Sequence, residues 1–350
     1  MTSTSSIDIV LCDAKCQDEW DNYVRESSST TFCHQFAWRA VIEEAFGHRT
    51  FYLMARKGQA VGGILPLVLV KSALFGTSLT SMPFLDYGGI CADDPEIALR
   101  LLVAAKRLQD EQRVGTVELR QCQPMAEAGP ARLDKVSMVL DLSPGAEVLW
   151  RSLPAKVRNQ VRKAEKSGLT IAEGGIEFLD DFYNVFLVNM RDLGSPVHDK
   201  AFFLHIFRNF GQQARCTLIR DGQKTVGGLI VLLFKDTMLV PWASSLREYF
   251  SKCPNNLLYW SAIQYGCQQG FRQFDFGRST IGSGTYEFKR QWGAQPRQLH
   301  WQSVGAANSR ASTTVSAQDG KFHAAVEVWK RLPIPVTRVL GPRIRKYLTN

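Results

Sequence analysis

A chain of 350 residues exceeds what one hydrophobic core usually covers, and at about 100–200 residues per domain it divides into two. Its 45% apolar content is that of a globular protein, no apolar run approaches the roughly 20 residues of a membrane span, and the N-terminus lacks the basic start and apolar core of a secretory signal. The net charge of +9 favours anionic partners (nucleotide diphosphates, RNA or an acidic membrane face), while the eight scattered cysteines form no ligand cluster and read as reduced thiols of a cytoplasmic protein without a metal site.

In chain order, a short strand (IDIVLC) precedes helices over about 18–25 and 35–45. The run YLMARKGQAVGGILPLVLV, 52–70, then pairs two apolar stretches around a Gly-containing turn, which is a β-hairpin signature. An apolar segment ending at FLDYGG follows, then a helix over 95–113 and strands TVELRQ and VSMVLDL. The basic segment LPAKVRNQVRKAEKSG comes next, with Pro154 placed to open a helix, Val157, Val161 and Ala164 at helical spacing, and Gly168 as terminator. Beyond it lie a strand (LTIAE), helices over about 176–191 and 200–210, and CTLIRDGQKTVGGLIVLLF, 216–234, which repeats the first hairpin with one extra residue before its paired glycines. A strand ending at VPWASS, a helix over 255–270 and the strand RQFDFG complete the second half. The order of elements matches the first half, so the repeat predicts two similarly folded α/β domains, 1–143 and 144–302, with a ligand-binding cleft between them. Residues 303–350 are expected to be a flexible Ser-, Ala- and Thr-rich linker and a basic-apolar tail. Within that tail Val326, Trp329, Leu332, Ile334 and Val339 interleave with cations like an interfacial anchor, and Pro333, Pro335 and Pro342 argue against one continuous helix.

Three segments carry candidate chemistry. In DFGRSTIGSGTYEFKRQWGA, 275–294, the reading places Arg278, Ser279 and Thr280 in a glycine-punctuated loop after a strand, with Tyr286 and Lys289 just beyond. Lys289 is either a surface lysine on a strand or a cation that stabilises developing negative charge. Arg278 either holds a phosphate or carboxylate bidentately or pairs with Asp275 or Glu287. In the basic segment Lys156, Arg158 and Arg162 form either a solvated helix face or an anion site; Arg158 and Arg162, one turn apart, point the same way. Asp86 and Tyr87, before Gly88-Gly89, either cap a turn and fill the core or line an acceptor site, where Asp86 is a better general base than any of the six histidines.

Together, KVRNQVRKAEKSG, the 275–294 segment and the duplicated hairpin resemble the FemAB-like branch of the N-acyltransferases over about 35–301. The C-terminal WKRLPIPVTRVLGPRIRKYL looks like the tail of the members associated with exosortase and exopolysaccharide systems. The resemblance implies two tandem acetyltransferase (GNAT)-like domains, each a mixed twisted sheet flanked by helices. It also implies transfer of an amino acid from aminoacyl-tRNA to an amine of a cell-envelope precursor. By the same resemblance Lys289, in Tyr286-Glu287-Phe288-Lys289, meets the acyl-tRNA end or the developing charge; Arg278 is the second catalytic candidate, and Ser279 and Tyr286 are candidate substrate-binding residues. The linker helix then contacts the pyrophosphate of a sugar-nucleotide or lipid-linked acceptor. No tightly bound cofactor is expected: the segments MPFLDYGGICADDPEIA and PWASSLREYFSKCPNNLLYW lack the basic residue and spaced glycines of a coenzyme A pyrophosphate loop, which makes acyl-CoA the less favoured donor. The expected protein is a monomer that touches the inner membrane face peripherally. A coenzyme A- or carrier-dependent acetyltransferase and a non-catalytic RNA- or membrane-binding module are the alternatives.

Overall fold

The computed structural model describes residues 6–72, 76–305 and 320–349. In chain order it contains β1 (Ile7–Cys12), α1 (Gln17–Glu26), α2 (Trp38–Phe46), β2 (Arg49–Lys57), β3 (Ala60–Ser72), β4 (Gly76–Thr80), β5 (Cys91–Ala92), α3 (Pro95–Glu111), β6 (Thr116–Gln121) and β7 (Ala131–Arg132). There follow β8 (Lys135–Asp141), α4 (Ala146–Ser152), α5 (Ala155–Lys166), β9 (Leu169–Gly174), α6 (Leu179–Asp192), α7 (Lys200–Phe210), β10 (Ala214–Asp221), β11 (Lys224–Phe234) and β12 (Thr237–Ser245). The chain ends with α8 (Pro254–Gln268), β13 (Gln273–Thr280), α9 (Gly284–Arg290), β14 (Gln295–Gln298), β15 (His300–Gly305), α10 (Gly320–Arg331) and α11 (Ile334–Arg345). The mixed α/β class expected from the sequence is the one observed.

The strands form two sheets, in the orders β1-β2-β3-β4-β6-β15-β7, with β5 on β3, and β14-β8-β13-β12-β11-β10-β9. Two compact units follow: one holds 1–133, 298–315 and 346–350, the other 134–297 and 316–345. This differs from the expected cut at 143. Strand β8 pairs with β13 of the second sheet, and β15 pairs with β6 of the first. The expected flexible stretch begins inside β15 at 303, and its remainder, 306–318, lies outside the described residues.

Both hairpins bulge at the same point. In the first, Ala55 pairs with Gly63 and Arg56 with Val61, so Gly62 is the extra residue; in the second, Ile219 pairs with Gly227 and Arg220 with Thr225, so Val226 is. The inserted residue thus moves both glycines of the second copy past the bulge. What the glycines share is crowding: a Cβ on Gly63 would stand 2.7 Å from Ile97 of α3, and one on Gly228 would stand 2.9 Å from Leu218 and 3.2 Å from Phe182 of α6. Each sheet buries its own apolar cluster, around Leu53, Leu67 and Leu101 in the first unit and Val157, Leu229 and Phe274 in the second.

The tail divides at 332–333, as its prolines suggested, but Pro342 lies inside α11. This helix packs on the second unit, where a Cβ on its buried Gly341 would meet Val197 at 2.8 Å. Near its C-terminal end, Arg345 Nε donates to Nε2 of the buried His198 at 3.1 Å. Burial first, and the Arg345 charge second, hold the His198 imidazole well below its usual value. The unfolded chain therefore binds this proton more readily than the native one. The associated stability is present above about pH 6.5 and is lost as pH falls below it. Denaturant titrations at pH 7.5 and 5 should show this loss, and His198→Phe should reduce the difference.

Candidate functional site

In the second unit β12 and β13 run parallel only from Thr237 opposite Gln273 to Leu239 opposite Asp275. Beyond that point β12 continues along β11 to Ser245 while β13 stays on β8, with which it pairs from Gln273 to Thr280, with a register shift between Asp275 and Arg278. Gly277, at φ 72°, sits in that shift, where an L side chain would be strained. Arg278, Ser279 and Thr280 therefore belong to a bulged strand rather than to the expected loop. The buried Asp275 carboxylate accepts from the Ser137 hydroxyl and, at 2.8 Å, from the Gly277 amide.

Lys289 grips the same bulge. It lies on α9, whose first turn is capped by Ser283, and is only 8% exposed. Its Nζ donates to the carbonyls of Gly277 at 2.8 Å and Arg278 at 2.9 Å. Neither a surface location nor a strand position describes this residue. Ser279 is buried, and its hydroxyl has no hydrogen-bond partner among the described residues. Glu287, one of the partners considered for Arg278, pairs with Arg290 at 2.7 Å, and Tyr286 is half-buried against the core.

A cavity of about 570 Å³ opens beside α9, lined in part by Pro154, Lys156, Arg290 and Trp292. Pro154 precedes α5 without a side-chain cap, so the first turn presents amides to this space. Trp292 is 1% exposed, and its buried Nε1 has no partner among the described residues. Lys156 is the linker cation that lines the cavity. Arg158 and Arg162 do point the same way, but toward α4: Arg158 donates to the carbonyls of Arg151 and Leu153, and the Arg162 guanidinium lies 5.6 Å from the Trp150 ring centre. The last carbonyls of a helix lack intrahelical donors, and Arg158 supplies them at the end of α4.

In the first unit Asp86 and Tyr87 are half-buried, and the Asp86 carbonyl accepts from Trp301 Nε1 at 3.2 Å. Burial, then the Asp86 charge, pushes the Cys33 thiol up. The dominant group nearby is one that sequence reasoning missed. Arg120, fully buried on β6, pairs with Glu118 at 3.0 Å, donates to the carbonyls of Met82, Leu85 and Thr349, and stands 4.2 Å from the Trp301 ring centre. The Phe84 amide also donates to Thr349 O, at 3.3 Å, and His48 Nε2 to Lys346 O at 2.7 Å. The C-terminal residues are thus anchored in this unit. Nothing in TVELRQ distinguishes a buried arginine from a solvated one on an alternating strand.

Neither segment ahead of the central helices fits the diphosphate of coenzyme A. In the second unit, residues 247–252 form a short 3-10 helix, with the Tyr249 amide on Leu246 O and the Cys253 amide on Phe250 O, and Pro254 opens α8 without an N–H. In the first, Asp94 caps α3 and Asp93 adjoins it, placing carboxylates where a diphosphate would need donors. Among the described residues no group of three His, Cys, Asp or Glu side chains could hold a metal ion, and no helix is long and apolar enough to cross a membrane.

Residues 151–290 match the acetyltransferase (GNAT) domain family. FemX has a similar structure, with TM-score 0.66 at 13% identity, over 84% of this chain and 96% of that one. So do a tandem GNAT protein from the clavulanic acid biosynthesis pathway (TM-score 0.54, 14% identity, 85% of this chain and 98% of that one) and L-PGS from Bacillus licheniformis (0.55, 12%, 95% and 97%). No curated protein matches the sequence. The fold is that of two tandem GNAT-like domains, with the bulged β13, α9 and the α5 cavity in the second unit.

Proposed function

We propose that this chain is an N-acyltransferase that moves an aminoacyl group from aminoacyl-tRNA to an amine of an anionic cell-envelope precursor. The observation that carries the reading is a GNAT-like unit whose α8 is preceded by a short 3-10 helix and opened by Pro254, which leaves few amides for a coenzyme A diphosphate, while the uncapped start of α5 and Lys156 offer donors to an anion elsewhere. The neutral amine attacks the ester carbonyl, the bond to the tRNA ribose oxygen breaks, an amide forms, and the amine proton passes to the departing hydroxyl. That exchange balances without an added oxidant or metal. Asp275 and Lys289 hold the bulge at Gly277 from its amide and its carbonyl, and the Lys289 charge lies beside Arg278 and Ser279, where it stabilises the anionic intermediate. The acceptor phosphates occupy the α5 cavity. Tyr286 joins Ser279 at the substrate, and Asp86 and Tyr87 belong to the same proposal as acceptor-binding residues.

The envelope setting, whether peptidoglycan or exopolysaccharide with exosortase systems, belongs to the same proposal, as do cytoplasmic residence at the inner membrane face and a monomeric state. Purified protein offered charged tRNA, acetyl-CoA and candidate amines should yield products heavier by one amino-acid residue in mass spectrometry. An acetyl increment would establish coenzyme A chemistry instead; no product from any donor would favour a binding module. The double variant Lys156→Gln/Arg290→Gln should weaken binding of a UDP-sugar acceptor and flatten its salt dependence, while changing unfolding by less than about 1 kcal/mol, since exposed cations contribute little to stability. Unchanged affinity at low salt would remove the cavity from the reading.

A further inference from the structure

Helices α10 and α11 both pack on α6 of the second unit. Helix α10 lies against the turn after α6, where a Cβ on Gly194 would meet Val326 at 2.5 Å and Lys330 at 3.3 Å, and α11 turns Thr337 and Gly341 inward. The side chains opposite these contacts recur at helical spacing. On α10 they are Ala324, Val328 and Arg331; on α11 they are Val336, Val339, Leu340 and Arg343. All are exposed, Val328 at 62% and Val339 at 53%. Each helix thus shows water an aliphatic stripe that ends in an arginine, the reverse of a surface helix that buries its apolar side. Of the five apolar tail residues expected to interleave with cations, Val326, Trp329, Leu332 and Ile334 are half-buried, and only Val339 belongs to a stripe.

Charge indicates what such a face meets. From 324 to 345 the sequence sets five cations, Lys330, Arg331, Arg338, Arg343 and Arg345, against one acid, Glu327. Three of the five are held by the protein: Lys330 on Glu327 at 2.6 Å, Arg338 on Asn184 at 3.3 Å and Arg345 on His198 at 3.1 Å. Arg331 and Arg343, the two on the outward stripes, make no hydrogen bond or ion pair to any described residue. A second copy docked by the same face would add two more uncompensated arginines to the contact. A nucleic acid would find no ring among the stripe residues on which to stack a base. An anionic bilayer suits both parts of the face, with phosphates for the guanidiniums and the boundary between headgroups and acyl chains for Val and Leu.

We propose that the outward face of α10 and α11 is a docking surface for an anionic lipid bilayer, with Arg331 and Arg343 on headgroup phosphates and Val328, Val336, Val339 and Leu340 at the acyl boundary. The proposal rests on the acyltransferase reading for its purpose, which is to hold the enzyme beside a membrane-borne acceptor, but docking itself needs no substrate. The test is co-sedimentation of the full-length protein with vesicles of phosphatidylglycerol and phosphatidylcholine in equal parts, against phosphatidylcholine alone. The wild type should bind the anionic vesicles about tenfold or more tightly, and less so as salt rises. Arg331→Gln/Arg343→Gln should lose about tenfold or more on anionic vesicles, since each cation near such a surface contributes about fivefold. Val339→Ser/Leu340→Ser should lose severalfold even at low salt, where a purely electrostatic contact would hold. These positions are exposed, so melting temperatures should stay near that of the wild type. No binding to anionic vesicles, equal binding to both compositions, or full affinity in both double variants would overturn the surface. So would tRNA binding that the arginine variant loses while vesicles stay unbound, which assigns the face to RNA, or a dimer that Val339→Ser/Leu340→Ser disperses, which assigns it to a second copy. If vesicles bind as expected and no donor yields product, the acyltransferase reading fails and the surface stands. If product forms with a soluble acceptor and vesicles stay unbound, the surface fails and the reading stands.

Discussion

Arg120→Met is expected to lower the stability of the first unit by about 3–5 kcal/mol, the cost of removing one partner from a buried ion pair. The guanidinium pairs with Glu118 and reaches the carbonyls of Met82, Leu85 and Thr349, so its loss strands a carboxylate and three acceptors together. Met82 and Phe84 carry φ values of 47° and 72°, which non-glycine residues adopt only where their surroundings enforce it. Hydrogen exchange should therefore accelerate at 82–85 and at 346–349, and denaturant midpoints should fall. Arg120→Lys should not rescue the loss, because a point-like ammonium cannot spread over the same acceptors. An unchanged midpoint in both variants would show that the contacts carry no net energy.

Lys289→Met is the second large effect. Charge deletion should slow turnover by roughly 10²–10³-fold, as loss of one preorganised donor does. Unlike a surface substitution, it should also cost about 2–3 kcal/mol, because the carbonyls of Gly277 and Arg278 lose a buried partner. Lys289→Arg separates the two contributions: it keeps the charge but misplaces it, so activity should fall further than stability. Wild-type turnover in Lys289→Met would move the reaction centre to Arg278 and Ser279.

The fold was legible where contacts are local. Helix α7 falls on the 200–210 span expected from the sequence, and the hairpins announce themselves through turn residues and paired glycines. The segment 284–290 carries a helix that the expected glycine-rich loop concealed, since Ser283 acts as its cap rather than as a turn residue. Non-local pairing was not legible: VSMVLDL read as a strand, but only its partner β13 assigns β8 to the second sheet, and β15, whose second half was expected to be flexible, is recognised only by its pairing with β6. The same holds for the site. The clustering of Lys156 near Arg290 depends on α9 meeting the start of α5, whereas Arg158 looked like a ligand residue and serves a helix end.

The composition of the first unit from three separated stretches bears on how this protein is born. On a ribosome, the first 133 residues emerge with β6 lacking its neighbour β15, and with Arg120 lacking both Trp301 and Thr349. Vectorial synthesis usually lets the N-terminal domain fold first. Here the second sheet has all seven of its strands by residue 298 and its unit then adds 316–345, while the first unit further needs the contacts of residues 346–349. The N-terminal half is thus the later to mature, and a nascent chain stalled before 346 would carry an open, arginine-lined slot in place of a finished domain.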